Sequence, residues 1–159
     1  MYGAVAFYKA AVAAGIRPII GCEVYVAPRG MTDRVHGVDD AYTHLVLLCR
    51  DETGYHNLCY LVSAAFERGF YGKPRIDWPL LRAHAEGLIC LSGCVAGDIP
   101  RAILRGDYDA ARARAVELQA LFGEENFYLE LQNHRMTDEA RVRAALLRIH
   151  RETGIPLAA

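Results

Sequence analysis

The chain has 159 residues, 53% hydrophobic and 23% charged, which suffices for one globular domain with a real core and excludes a disordered chain. Its formal net charge of −1 excludes an overall basic field, so any contact with nucleic acid must be local or made by other parts of a larger protein. Cys22, Cys49, Cys59, Cys90 and Cys94 are odd in number and form no C-x-x-C pair; no apolar run nears the roughly 18 residues of a membrane span, and the first residues lack the basic start of a signal peptide, so a reducing cytoplasm is expected.

Val5, Tyr8 and Val12 recur at helical spacing ahead of Gly15, which predicts a helix over residues 3–14 packed on one face, with Lys9 interrupting the stripe. No capping residue precedes it, so the chain is expected to begin inside an element. Pro18 to Val26 is an apolar run rich in β-branched and aromatic residues, read as a strand buried on both faces. Glu23 stands in its middle, and an ionised carboxylate there is costly unless a metal or a cation meets it. Pro28 to Asp40 is polar and glycine-bearing, a surface loop. His44 to Cys49 is a second strand, and Asp51 caps a helix whose Tyr55, Leu58, Cys59, Val62, Ala65 and Phe66 share a face before Gly69.

Phe70 to Trp78 reads as an irregular aromatic and basic connector, with a short helix starting at Asp77. Leu88 to Leu91 is a third strand ending at Ser92-Gly93-Cys94, and a helical segment over 99–104 precedes a helix capped by Asp107 and closed by Gly123. Phe127 to Leu131 is a fourth strand, placing Tyr128 and Glu130 on one face and Phe127, Leu129 and Leu131 on the other. Thr137 is expected to cap a last helix ending at Gly154, and Pro156 to Ala159 to open a fifth strand that is cut off. Alternating strands and helices predict an α/β domain with a parallel sheet, either open and doubly wound or part of a barrel; no glycine-rich phosphate loop supports the former.

Glu23, His44 and Cys94 offer O, N and S donors from three successive strands, the range a zinc or manganese site draws on. Each also has a plain structural reading: a salt bridge to an arginine for Glu23, a hydrogen-bonded strand-edge histidine for His44, a small buried hydrophobe for Cys94. In a barrel, reactive side chains gather at the carboxyl ends of strands; Cys94 and His134 lie just past such ends, whereas His44 stands at the start of its run. His134 is a second-tier site candidate against a turn or capping role. His36, His56, His84 and His150 are expected to be solvated, as is the face bearing Arg141, Arg143, Arg148 and Arg151. Lys73 and Arg75, beside Tyr71 and Trp78, suit a nucleic-acid backbone or a neighbouring domain, or else simply belong to a structural connector.

Gly15 to Val26 resembles the polymerase-and-histidinol-phosphatase (PHP) domain found at the N-terminus of bacterial DNA polymerase III alpha subunits. Tyr42-Thr43-His44-Leu45, Thr53 to Leu58, Gly69 to Asp77, His84 to Ile89, Leu91-Ser92-Gly93-Cys94 and Phe127 to His134 resemble segments of that family in the same order. The Gly69 to Asp77 connector points to the replicase branch. The resemblance implies part of a distorted seven-stranded α/β barrel, with residues 1–159 the central portion of a single PHP domain truncated at both ends and the polymerase domains absent. It also implies a three-metal cluster of zinc, manganese or magnesium, with Glu23, His44 and Cys94 at three of nine ligand positions and the other six outside this chain. For the parent it implies templated DNA synthesis in chromosome replication. For the domain it implies metal-dependent 3′ to 5′ removal of nucleotides and a structural platform, with DNA, other replicase subunits and a proofreading subunit as partners. The alternative is a stand-alone PHP-family phosphatase acting on a small monoester such as histidinol phosphate.

Overall fold

A computed structural model describes residues 2–159. Thirteen elements follow one another: α1 (Ala4–Ala13), β1 (Gly21–Val26), β2 (Thr43–Cys49), α2 (Glu52–Glu67), β3 (Phe70–Tyr71), β4 (Lys73–Ile76), α3 (Trp78–Ala83), β5 (Leu88–Leu91), α4 (Asp98–Leu104), α5 (Tyr108–Phe122), β6 (Phe127–Glu130), α6 (Thr137–Thr153) and β7 (Leu157–Ala158). The α/β character and most elements fall where the sequence puts them. Their starts follow local chemistry: the carboxylates of Asp51, Asp77 and Asp107 accept from the N–H groups of Gly54, Leu80 and Ala110, each at 3.0 Å.

The strands form one sheet in the order β3-β4-β1-β2-β5-β6-β7. The expected all-parallel sheet is corrected. β2 runs antiparallel to both of its neighbours, β1 and β5, while β4 lies parallel to β1, and β6 and β7 lie parallel beyond β5. The segment between β1 and β2 contains no helix, and a parallel return usually runs through a crossover helix; without one the chain turns back. Among the described residues no pairing joins β3 to β7, so the sheet is open.

One face of the sheet carries the core. Val24, Val26, Leu45, Leu47, Leu88, Cys90, Phe127 and Leu129 pack beneath Leu58, Leu61, Leu118, Leu146 and Ile149 of α2, α5 and α6. The residues between them in sequence, including Glu23, Tyr25, His44, Val46, Leu91, Tyr128 and Glu130, share the opposite face, which is only partly covered. β1 is therefore buried on one face only, and the Glu23 side chain is 49% exposed. The pairing of Tyr128 with Glu130 on that face matches the sequence reading.

Four further expectations change. α1 buries Ala11 alone, and Val5, Tyr8 and Val12 are exposed, because no neighbouring element covers their stripe among the described residues. The stripe of α2 is rotated towards Leu61 and Ala64, leaving Phe66 half exposed. The supposedly irregular connector is a hairpin, with Phe70 opposite Pro74 and Gly72 in the left-handed region at φ 67°. Thr137 is the first residue inside α6 and does not cap it; Glu139 reaches back to accept from the Met136 N–H at 3.2 Å.

Candidate metal centre

Strand direction explains the position of His44. Because β2 alone among the central strands is reversed, its first residues lie beside the carboxyl-terminal halves of β1 and β5. Tyr25 stands directly opposite His44 in the antiparallel ladder, so Glu23, two residues earlier, falls on the same face. Cys94 arrives from the turn after β5. That turn is wound tightly: Gly93 has φ 80°, and a Cβ there would lie 3.0 Å from the His44 carbonyl oxygen. The His44 N–H donates to the Ala96 carbonyl at 3.2 Å, locking the turn against β2.

The three side chains converge. Glu23 Oε1 lies 2.6 Å from His44 Nδ1, Cys94 Sγ lies 3.6 Å from the same nitrogen, and one ligand atom from each residue falls within 4.8 Å of the others. The Ala96 N–H also donates to Cys94 Sγ at 3.4 Å. Carboxylate oxygen, imidazole nitrogen and thiol sulfur together suit a divalent ion of the zinc or manganese kind, so the residues present fit a metal. The arginine partner considered for Glu23 is not what meets it; His44 is.

Two residues missed in the sequence hold the imidazole in place. Tyr42 stacks on His44 with the rings 6° from parallel and centroids 5.9 Å apart, and Tyr25 meets it edge-on at 5.1 Å. Both tyrosines lie two residues from a donor on the same strand or its lead-in, so the period of two was the signal that could have found them. Glu130 also faces this side. Its Oε1 accepts from Gln132 at 2.6 Å, while Oε2 is enclosed without a hydrogen-bond partner.

His134 is not brought to the three donors. Its Nδ1 lies 2.7 Å from Glu139 Oε1, and its N–H donates to Glu139 Oε2 at 2.6 Å, which places it in the turn that starts α6. Burial alone would raise the Glu139 carboxyl, but the bonds from His134 and from the Met136 N–H pull it below the usual glutamate range.

Arg75 is corrected as a surface contact. It is fully buried, and its guanidinium donates to the carbonyls of Gly69, Asp39, Met31 and Asp33 at 2.7–3.2 Å, so its charge organises the β1–β2 loop and presents nothing outward. Lys73, in contrast, is exposed, with Nζ 5.7 Å from the centroid of the Tyr25 ring. Of the histidines expected in solvent, His84 and His150 are half-buried, bonded to Asn57 and to the Ile155 carbonyl. Arg148 is exposed, as expected, and lies over the Tyr108 ring at 4.0 Å while bonding Glu152 at 2.7 Å. Cys49 and Cys90 sit apart from the donors, and burial pushes both thiols up, Cys49 to about 11.

Comparison with known proteins shows the family. The family model "PHP domain" matches residues 1–134. DNA polymerase III subunit alpha of Treponema pallidum (strain Nichols) is 46% identical over 158 residues, covering 99% of this chain and 14% of that protein. The subunit of the same name from Thermus aquaticus is 47% identical over 161 residues, covering 100% of this chain and 13% of that protein. The one from Deinococcus radiodurans is 39% identical over 163 residues, covering 100% and 12%. The chain therefore spans only a small part of the length of the curated relatives it matches. With the metal-suited donors on the open face of a mixed α/β sheet and the family match over most of its length, the chain belongs to the PHP domain family.

Proposed function

We propose that residues 1–159 are the central portion of the PHP domain of a bacterial replicative DNA polymerase, and that this domain removes nucleotides from a DNA 3′ end by metal-dependent phosphodiester hydrolysis. The observation that carries the reading is the convergence of Glu23, His44 and Cys94 within 4.8 Å in a chain whose relatives carry the name DNA polymerase III subunit alpha. In the whole domain the sheet is proposed to curl into a distorted barrel whose remaining strands complete the ligand set.

A bound divalent ion, whether zinc, manganese or magnesium, supplies Lewis-acid stabilisation of charge on phosphoryl oxygens and makes water a competent nucleophile at neutral pH. Glu23, His44 and Cys94 would hold it. Tyr42 and Tyr25 fix the imidazole plane, so that Nδ1 faces the carboxylate and the sulfur, and the Ala96 N–H orients the sulfur. His134, held by Glu139 at a strand end, is a second-tier candidate for contacts at the rim of the site. DNA and other replicase subunits, a proofreading subunit among them, are the proposed partners, and the cytoplasm the proposed location. No helix among the described residues is long and apolar enough to cross a membrane. The small-monoester phosphatase alternative has less support, because the relatives matched over nearly the whole chain carry the polymerase subunit name.

The test is Glu23→Gln in the full polypeptide that carries this domain. Bound metal measured by mass spectrometry should fall by about one ion per chain, and 3′ nucleotide removal by about 100-fold, since an anionic ligand becomes neutral at a position 2.6 Å from its neighbour. Primer extension should persist. Unchanged metal content and unchanged nuclease activity would sink the reading.

A further inference from the structure

Beside the donor triad lies a cavity of about 340 Å³ lined by His36, Asp40, Tyr42, Tyr71, Gly72 and Lys73. Its two aromatic walls are braced. Tyr42 is stacked on His44, and Tyr71 has the buried guanidinium of Arg75 5.1 Å from its ring centroid. Tyr25 links the cavity to the triad: its ring centroid is 4.8 Å from that of Tyr42, 5.1 Å from that of His44 and 5.7 Å from Lys73 Nζ. Charge in the cavity is unevenly committed. The Asp40 carboxylate is occupied by the Gly37 N–H at 2.8 Å and faces His36 at 3.0 Å, and among the described residues no carboxylate pairs with Lys73. The Gly37 N–H and then the Tyr71 hydroxyl hold the Asp40 carboxyl below the usual range, so it stays an acceptor already in use.

An unpaired cation above the Tyr25 ring, beside two braced tyrosines and one ring away from a metal-suited triad, is the pattern of a single-strand platform: a base stacks on an aromatic face while a cation meets the adjoining phosphate. We infer that this cavity binds the terminal nucleotides of a single nucleic-acid strand, with Lys73 on a phosphate and Tyr42 and Tyr71 against a base. The inference rests on the proposed action of the domain on DNA ends and adds the residues that deliver the strand. Lys73 and the two tyrosines are binding residues; they position the strand and take no part in bond cleavage. Stacking and a point charge read no base sequence, so the site accepts any strand end.

Lys9 and Lys73 are the two lysines of this sequence, which gives the test an internal control. The full polypeptide, loaded with manganese, is acetylated with a lysine-reactive ester with and without a single-stranded oligothymidylate whose terminal phosphorothioate linkages slow cleavage. Peptide mass spectrometry then reads each lysine. Saturating oligothymidylate should lower Lys73 acetylation at least threefold and leave Lys9 unchanged. Lys73 equally reactive with and without the strand overturns the inference, as does Lys73 unreactive in the free protein, which would mean that another domain covers it. In a second arm, Lys73→Ala should raise KM for 3′ nucleotide removal about tenfold with kcat moving less than twofold, and Lys73→Arg should restore KM; a fall in kcat at unchanged KM counts against strand binding. If the wild-type protein removes no nucleotides, the nuclease reading fails by itself, and the footprint still decides whether a strand occupies the cavity.

Discussion

Asp39 holds the loop between β1 and β2 with both carboxylate oxygens. Arg29 donates to them at 2.9 and 2.6 Å and the Val35 N–H at 2.7 Å, while the Asp39 carbonyl receives Arg75. The bond from Arg29 and then that from Val35 pull the Asp39 carboxyl down to about 2. An unfolded aspartate titrates near ~3.9, so the folded state binds its proton less readily than the unfolded state. The resulting stability is complete above the unfolded value and is lost as pH falls through the folded one. Thermal midpoints of wild type and Asp39→Asn, measured from pH 6 to pH 2, should therefore differ by several degrees at the upper end and converge towards pH 2. A gap that persists undiminished at pH 2 would show that the carboxylate charge is not what matters. The charge of Arg75, buried among carbonyls, serves the same loop, so a basic residue that the sequence offers to a phosphate is spent on architecture.

Among the elements, α2 is fixed by one close approach. Gly54, in its first turn, lies against the turn before β5, where a Cβ would fall 1.8 Å from the Gly87 carbonyl oxygen. Backbone on both sides cannot yield, so Gly54→Ala should cost about 2–3 kcal/mol in denaturant unfolding, whereas Ser63→Ala on the exposed face of the same helix should cost under about 0.5. Equal, small costs would mean that α2 can slide. The existence of these elements was legible because caps, glycine stops and apolar periods are local: Asp51, Asp77 and Asp107 mark helix starts by chemistry written within four residues. The β3–β4 hairpin was hidden, since Pro74 and Gly72 speak against a strand and only pairing with β1 at Tyr25 and Val26 makes one. The site was legible in its donors and not in its geometry. Glu23 stood out as a carboxylate in an apolar run, but its half-open face, the reversal of β2 and the bracing tyrosines are properties of strand pairing, which no single stretch records.

At the scale of the molecule, apolar surface is distributed unequally. The core beneath α2, α5 and α6 is closed, whereas α1 exposes Val5, Phe7, Tyr8 and Val12 and flanks a cavity of about 530 Å³ shared with Ile20, Cys49 and Tyr55. With Ala11 alone buried, little tertiary packing supports a ten-residue helix. In residues 1–159 taken alone, amide hydrogen exchange in α1 should be at least about 100-fold faster than in the buried face of α2; comparable protection would mean that α1 is anchored by something other than apolar packing. The reversal of β2 also orders the assembly of the whole. Glu23 and His44 belong to consecutive strands that turn back on each other, so a modest loop closure brings them together, while Cys94 lies fifty residues beyond His44 and waits for α2, the hairpin and β5. Two of the three donors thus need only a local pairing, and the thiol needs the longer closure. The sulfur thereby marks that β5 has joined the β1–β2 pair.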